Sequence, residues 1–525
     1  MGVPDEEDLD LRGFDFIVVG AGSAGSVIAR RLLDSTDARM LVLEAGGAQD
    51  DAASIVNPPQ WVENLGSRYD WNYQYAPAPH TGNRTIPLAR GKVVGGSGSI
   101  NALVWARGNR ADYDGWAAAG NPGWEYESVL PLFQQAEDWE DGANEYRGAG
   151  GPIRVERAKD LHPVAQALID SGLSYGMPYL DDMNVPDPLG VGPVSMNVRD
   201  GQRCSSWRGY LKPVADHPRL TLLTGAHVHR LTFAGSRCTG VEFERAGRGY
   251  RAGAASEVVL AAGAIDTPRL LLRSGVGPAG DLRRLGIDVV GDLAGVGQNL
   301  QDHPILAGLC FEAEEALPAF NNNLEGSTFF WKSRSDLPVA DLMFVSVQIP
   351  YVSPEIAQEF PPPPNSFVIA PGLMRVESRG QIRLLGAGAD APVEIQPNFL
   401  AERQDVDALL AGIELGLDIA SQPAYRKIIR NWVAPSRPMT RDQAVSFLRK
   451  SCLTYFHSAG TCAMGPGPEA VVDARLRVHG VEGLRVADAS VMPSITSANT
   501  YAPSVLIGEA AARFLAARPP AGSST

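Results

Sequence analysis

The stretch that most constrains this chain is Phe16 to Gly47, FIVVGAGSAGSVIARRLLDSTDARMLVLEAGG. Phe16 to Val19 is a short β-branched run suited to a buried parallel strand, and it leads straight into Gly20-x-Gly22-x-x-Gly25. Val27, Ile28, Leu32 and Leu33 then give a helix one apolar face, and Met40 to Leu43 reads as a second buried strand ending in Glu44. The spacing is that of a βαβ unit. Gly20 permits a tight turn, Gly22 lets backbone N–H groups approach a pyrophosphate, and Gly25 lets the helix pack close to the sheet with its N-terminus toward the phosphates. Glu44, 19 residues after Gly25, stands where a carboxylate can accept both ribose hydroxyls, which argues against a 2′-phosphorylated nucleotide. A glycine triplet alone would read as an ordinary turn. Strand, helix, second strand and terminal acid together point to a dinucleotide.

At 525 residues the chain exceeds one simple core, so two intertwined domains are expected. Lys plus Arg number 46 against 60 Asp plus Glu, and the net charge of −14 disfavours nucleic acid or an anionic membrane as partner. No apolar run reaches the roughly 18 residues of a membrane span. The opening MGVPDEEDLD lacks the charged and apolar regions of a signal peptide, so a cytoplasmic location is expected. Cys204, Cys238, Cys310, Cys452 and Cys462 are scattered and form no C-x-x-C pair, so they read as reduced packing residues. His227-x-His229 would place two rings on one strand face, but with no third ligand nearby a metal site is not expected.

Beyond Glu44, the segment to Pro87 is rich in Pro, Gly and aromatics (Trp61, Tyr69, Trp71, Tyr73, Tyr75) and reads as a long covering connection. Arg90 to Asn101, RGKVVGGSGSIN, is a second glycine-rich stretch that permits close backbone approach to a flat or phosphorylated ligand, followed by an apolar segment, Ala102 to Ala106. Helical spacing marks 112–140 and Pro163 to Tyr175. From Leu220 the pattern is β, ending in a buried strand, Glu257 to Ala261. That strand runs into AAGAIDTPRLLLRSGVGP, where Asp266 or Thr267 can cap a helix with Pro268 in its first turn and Gly275 closing it. After the polar junction DLAGVGQNLQDH, residues 304–400 alternate like antiparallel strands (Leu342 to Ile349, Ser366 to Leu373, Gln381 to Leu385). Asp405 to Ile419 and Arg441 to Arg449 read as helices, Leu484 to Val486 as a strand, and Ala502 to Ala517 as a final helix. The expectation is an α/β fold: a discontinuous Rossmann-like nucleotide domain (1–155, 201–303, 450–525) and an α+β substrate domain built on an antiparallel sheet (156–200, 304–449).

Six ordered stretches, VVGAGSAGSVIARRL with LEAGG, RGKVVGGSGSINALVWARG, AAGAIDTPRLLLRSGVGP, GVGQNLQDHP, FHSAGTCAMG and LRVADASVMPSITSANTYAPSVLIGEAAA, resemble the glucose–methanol–choline oxidoreductases, FAD enzymes that oxidise alcohols. The resemblance covers nearly the whole chain. It implies FAD held at its ADP part by Gly20, Gly22, Gly25 and Glu44, with Ser23, Ala24 and Ala45 beside them. Arg90, Gly91, Lys92, Gly96, Ser97, Asn101, Ala102 and Val104 would approach the flavin, Val228 the adenine, and Ala262, Asp488 and Ala489 the central phosphates. The family often has Ser where Gly98 stands and Pro where Ala294 stands, swaps expected to alter only loop stiffness. Ile100 occupies the place of a flavin-linking His in some members, which implies noncovalent FAD.

The family's catalytic pair maps onto His457 and Asn499. Alcohol oxidation removes a hydroxyl proton and a hydride from one carbon. An imidazole suits the first task. Asn499 can donate to the developing alkoxide and would also touch the flavin. Without the resemblance, His457 would read as a satisfied core histidine, Asn499 as a turn or cap residue, and His303 as structural. Trp71, Tyr455 and Phe456 are expected to form an aromatic wall around the substrate. Members with a second His two residues before the base and a Pro at the amide position are set apart, since Tyr455 and Asn499 stand there. The motif wording is most similar to members acting on small aromatic or furanic primary alcohols, with O2 reduced to hydrogen peroxide. The alternatives are a dehydrogenase passing electrons to a quinone or other acceptor, an FAD-containing hydroxynitrile lyase, and a light-driven decarboxylase. The sequence leaves the oligomeric state open.

Overall fold

The computed structural model describes residues 11–517 other than 390. The acidic opening MGVPDEEDLD and the terminal PPAGSST lie outside the described residues. Among the described residues, no helix is long and apolar enough to cross a membrane.

The βαβ unit forms where its pattern places it: β1 (Phe14–Val19), α1 (Ser23–Ser35) and β2 (Met40–Glu44). The two strands are parallel, with Val18 opposite Val42, and every residue of β2 is buried. α1 buries Val27, Ile28, Leu32 and Leu33, and it also packs against the C-terminal helix α3 (Tyr501–Ala516). That helix pair is close because Gly508 faces Ala24, where an added Cβ would lie 2.8 Å from the Ala24 carbonyl oxygen.

The sheet order is Leu220–Thr224, β2, β1, β3 (Arg248–Leu260), Arg237–Arg245 and Ala226–Ala234, and Leu484–Val486 pairs in parallel with the end of β3. β3 is longer than the expected Glu257 to Ala261. Its first half joins an antiparallel ribbon with Arg237–Arg245, solvated enough to hide the strand from a search for buried runs, while its last residues, Val258 to Leu260, run beside β1 in the core.

The helix after β3, α2 (Gly263–Arg273), begins earlier than expected. Asp266 and Thr267 do not cap it; they lie inside it, and Pro268 falls in its second turn. Asp488 supplies the missing acceptor from across the fold, taking hydrogen bonds from Gly263 N at 2.9 Å and Thr267 Oγ1 at 2.6 Å. Pro268 has no N–H to give the Ala264 carbonyl, and Thr461 Oγ1 fills that place at 2.6 Å.

The second sheet is antiparallel and eight-stranded. Its order is Ile429–Ala434, Leu309–Ala313, Ser366–Leu373, Leu342–Val347, Ser327–Trp331 and Gly190–Pro193, and Pro304–Leu306 joins Ser366–Leu373 to Cys452–Thr454. Helix Arg403–Ala420 covers it. Cys452–Thr454 therefore pairs across the division expected at 449/450. Gln381–Leu384 pairs instead with Val393–Gln396 in a separate hairpin against α2. All five cysteines are buried thiols.

Candidate active site

One elongated cavity runs from the glycine turn after β1 to the end of strand Cys452–Thr454. Gly20, Gly22, Ser23, Ala24, Glu44, Ala45, Val228, Ala262, Asp488 and Ala489 line its nucleotide end. Arg90, Gly91, Gly96, Ser97, Asn101, Ala102 and Val104 line its middle, and Tyr455, Phe456, His457 and Asn499 close it. Gly25 and Lys92 are absent from the wall. Gly25 serves packing alone, since a Cβ there would lie 1.9 Å from the Gly20 carbonyl oxygen.

The walls suit FAD. α1 starts at Gly22 with no side-chain cap and no acid in its first turn, so its first N–H groups are left for an anionic group in the cavity, as a pyrophosphate requires. The two glycine loops touch, since an added Cβ on Gly96 would come 2.9 Å from Gly22 Cα, and the second loop folds tightly on itself, with one on Gly91 lying 2.2 Å from Gly96 C. Glu44 is fixed by Ala21 N at 2.9 Å and Gly46 N at 2.7 Å, and burial raises its pKa to about 7 against those donors. Asn101 is held by Arg203, a residue the motifs did not reveal, through Nη1 to Oδ1 at 2.5 Å and Nη2 to the carbonyl at 2.6 Å. Ile100 stands in the wall with no heteroatom for a covalent link, so FAD is noncovalent. At Gly98 the departure concerns room rather than stiffness, because a Cβ would lie 2.7 Å from the Tyr501 ring.

Two expected positions need correction. Trp71 does not stand with Tyr455 and Phe456. It stacks on Tyr73 (5.9 Å, 11°), meets His227 at 5.5 Å and carries the Lys92 ammonium 4.5 Å from its ring centre, beside Val228. The Lys92 side chain accordingly reaches the Trp71–His227 pair and does not line the cavity. The aromatic residues that do face the closed end include Trp61 and Tyr351.

His457 is placed by a buried acid. Asp302 Oδ1 accepts from the backbone N–H groups of His457 and His303, each at 2.8 Å, and Oδ2 accepts from Tyr75 OH and Thr454 Oγ1, each at 2.5 Å. Phe456 adopts φ 63°, which turns the chain sharply after the strand, and its carbonyl accepts from Arg90 Nη2. Gly372 leaves space for Tyr455, whose ring lies parallel to that of His457 at 5.1 Å. Asn499 comes from the other side, on the segment before α3. That segment is pinned where Asp112 Oδ2 accepts from Ser497 N at 2.8 Å and Ser497 Oγ at 2.7 Å.

The two side chains meet, with Asn499 Nδ2 3.2 Å from His457 Nε2 and the Asn499 Oδ1 buried without a partner. Burial first, and then the neighbouring His303 and Arg90, hold the His457 pKa well below that of a free imidazole, so the ring is neutral and able to accept a proton.

A buried acid, Glu325, shares this end of the cavity. Asn323 Nδ2 donates to its Oε2 at 3.1 Å and to the Ala102 carbonyl at 2.8 Å, tying it to the flavin stretch. Burial raises its pKa to about 8, with only the Asn323 hydrogen bond opposing; burial, and then the Glu325 charge, raise those of Tyr351 and Tyr455. Glu325 lies more than 120 residues from His457 in the chain and had no motif to mark it.

Two family models, both described as GMC oxidoreductase, match residues 14–305 and 376–508. The chain is 36% identical to the oxygen-dependent choline dehydrogenase of Paraburkholderia phymatum, over 98% of this chain and 94% of that protein. It is likewise 36% identical to the mitochondrial choline dehydrogenase of Homo sapiens, over 96% and 90%. The crystal structure of pyridoxine 4-oxidase from Mesorbium loti superimposes with a TM-score of 0.92 at 32% identity, covering 95% of this chain and 99% of that one.

Proposed function

The chain belongs to the GMC oxidoreductase family, FAD-dependent enzymes acting on CH–OH donors, and from that premise we propose that it oxidises a small primary alcohol of the choline type to its aldehyde. The observation that carries this reading is Glu325: a carboxyl buried in the chamber of His457 and Asn499, beside Tyr351 and Tyr455, with no cation lowering its pKa. A quaternary ammonium supplies the missing charge, and tyrosine faces attract the same group. The choline dehydrogenases among the relatives support it, and it replaces the aromatic or furanic alcohol expected from motif wording.

Bound FAD supplies the acceptor for the hydride. His457 Nε2 takes the hydroxyl proton, and the Asn499 amide holds the alcohol oxygen as charge grows on it, contributions worth about 10²–10⁴-fold and 10²–10³-fold. The apolar walls, including Ile305, Val345 and Val347, keep water from that oxygen. We take O2 as the terminal electron acceptor, in keeping with the oxygen-dependent relative.

Anaerobic mixing of the flavoprotein with choline, benzyl alcohol and 5-hydroxymethylfurfural tests the reading. Choline should bleach the flavin at the lowest concentration, and air should restore the colour with one peroxide per turnover. Faster bleaching by either neutral alcohol would overturn the substrate assignment. Recovery only with a quinone would overturn the acceptor. Silence with all three alongside cyanohydrin cleavage would favour a lyase.

A further inference from the structure

His303 lies directly behind the base, its Nδ1 2.9 Å from His457 Nδ1 with the rings nearly perpendicular at 86°. Two facing ring nitrogens make a hydrogen bond only if one carries hydrogen and the other does not. Which one is decided at the cavity side of His457. The Asn499 amide nitrogen, 3.2 Å from His457 Nε2, can only donate, so that Nε2 is bare, the hydrogen of the base is on Nδ1, and the facing His303 Nδ1 is the acceptor. His457 Nδ1–H must then donate to it. The remaining nitrogen of the base, Nε2, is left with its lone pair toward the Asn499 amide and the cavity.

We propose that His303 is a positioning residue that holds His457 in the Nδ1–H tautomer, so that Nε2 is the proton acceptor for the substrate hydroxyl. The inference rests on the alcohol-oxidation reading only for its kinetic arm. The other charged and titratable groups around the base act elsewhere: Asp302 binds its backbone N–H, Tyr75 binds Asp302, Arg90 binds the Phe456 carbonyl, and Tyr455 stacks on the ring. Among the described residues no carboxylate hydrogen-bonds to His457 Nδ1, and its partner there is another neutral ring. Burial lowers the pKa of His303 to about 3, so it faces the base as a neutral ring.

Nitrogen-15 spectra of the histidine-labelled holoenzyme read the tautomer directly, with the signal assigned by its loss in His457→Gln. The expected result is a pyrrole-type Nδ1 and a pyridine-type Nε2 on His457; the reverse pair overturns the proposal whatever the substrate proves to be. In the kinetic arm, His303→Asn keeps an acceptor near the place of Nδ1, and His303→Leu keeps bulk without one. The Asn variant should reduce its flavin within about 5-fold of the parent, and the Leu variant about 10–100-fold more slowly, with KM within about 3-fold. Equal rates in folded, flavin-loaded Asn and Leu variants would assign His303 to packing alone. If neither variant holds flavin, the spectrum of the parent enzyme decides.

Discussion

Replacing Glu325 by Gln removes a charge while keeping the shape of the side chain. The pKa of about 8, against 4.5 for an unperturbed Glu, means the empty chamber disfavours the carboxylate by roughly 5 kcal/mol. At pH 7 about one protein in ten carries it ionised, a cost of about 1.4 kcal/mol to any ligand that requires the charge. A quaternary ammonium centred about 4.5 Å away, at an effective dielectric of about 20, returns roughly 4 kcal/mol. The net gain is about 2–3 kcal/mol, so Glu325→Gln should lower kcat/KM for choline by about 50–100-fold and leave benzyl alcohol within about 3-fold. The pH dependence has a definite sign. In the parent, KM for choline should fall about tenfold per unit from pH 6 to 8 and then level, and in the variant that slope should vanish. Because the folded-state pKa is raised, native stability from this group is full below pH 4.5 and is lost as pH rises toward 8, a slope the variant also removes. Stopped-flow flavin reduction from pH 6 to 9.5 measures the kinetic part. An unchanged ratio of choline to benzyl alcohol, or a flat KM in the parent, would refute the reasoning.

Asn499→Ala should slow flavin reduction about 10²–10³-fold while flavin remains bound, measured by rapid mixing at saturating alcohol. Gly25→Ala drives a Cβ into the Gly20 carbonyl, so that protein should purify without its yellow colour or with a much reduced Tm. Thr461→Val leaves the Ala264 carbonyl without a donor and should cost about 1–3 kcal/mol in urea unfolding; adding Pro268→Ala, which restores an N–H to that carbonyl, should recover part of the loss.

The nucleotide half was legible because its information is local. A strand, three glycines, a helix and an acid fall within 32 residues, and each does its work on its neighbours. The base and its amide were legible through motif wording, although nothing in the chain near His457 announces that Asn499 will meet it. Glu325 and Tyr351 were invisible for the opposite reason: they converge only once antiparallel pairing brings distant segments around the cavity. Trp71 was misplaced because an aromatic side chain has bulk but no direction in sequence, and here Tyr73, His227 and Lys92 claim it. His303 read as structural because its role depends on a neighbour 154 residues away.

Thr454 ends a strand of the antiparallel sheet, and three residues later the chain presents His457; Asn499 arrives from the segment leading into α3, which is packed on the nucleotide-binding helix. The acceptor of the proton thus follows directly on a strand of the antiparallel sheet, and the donor to the oxygen leads into a helix packed on the nucleotide-binding helix, so the two meet only while those layers keep their relative position. Turnover is therefore a coincidence detector for assembly. Substitutions far from the chamber that loosen the seam would silence the chemistry as completely as loss of either group, while both layers still looked folded.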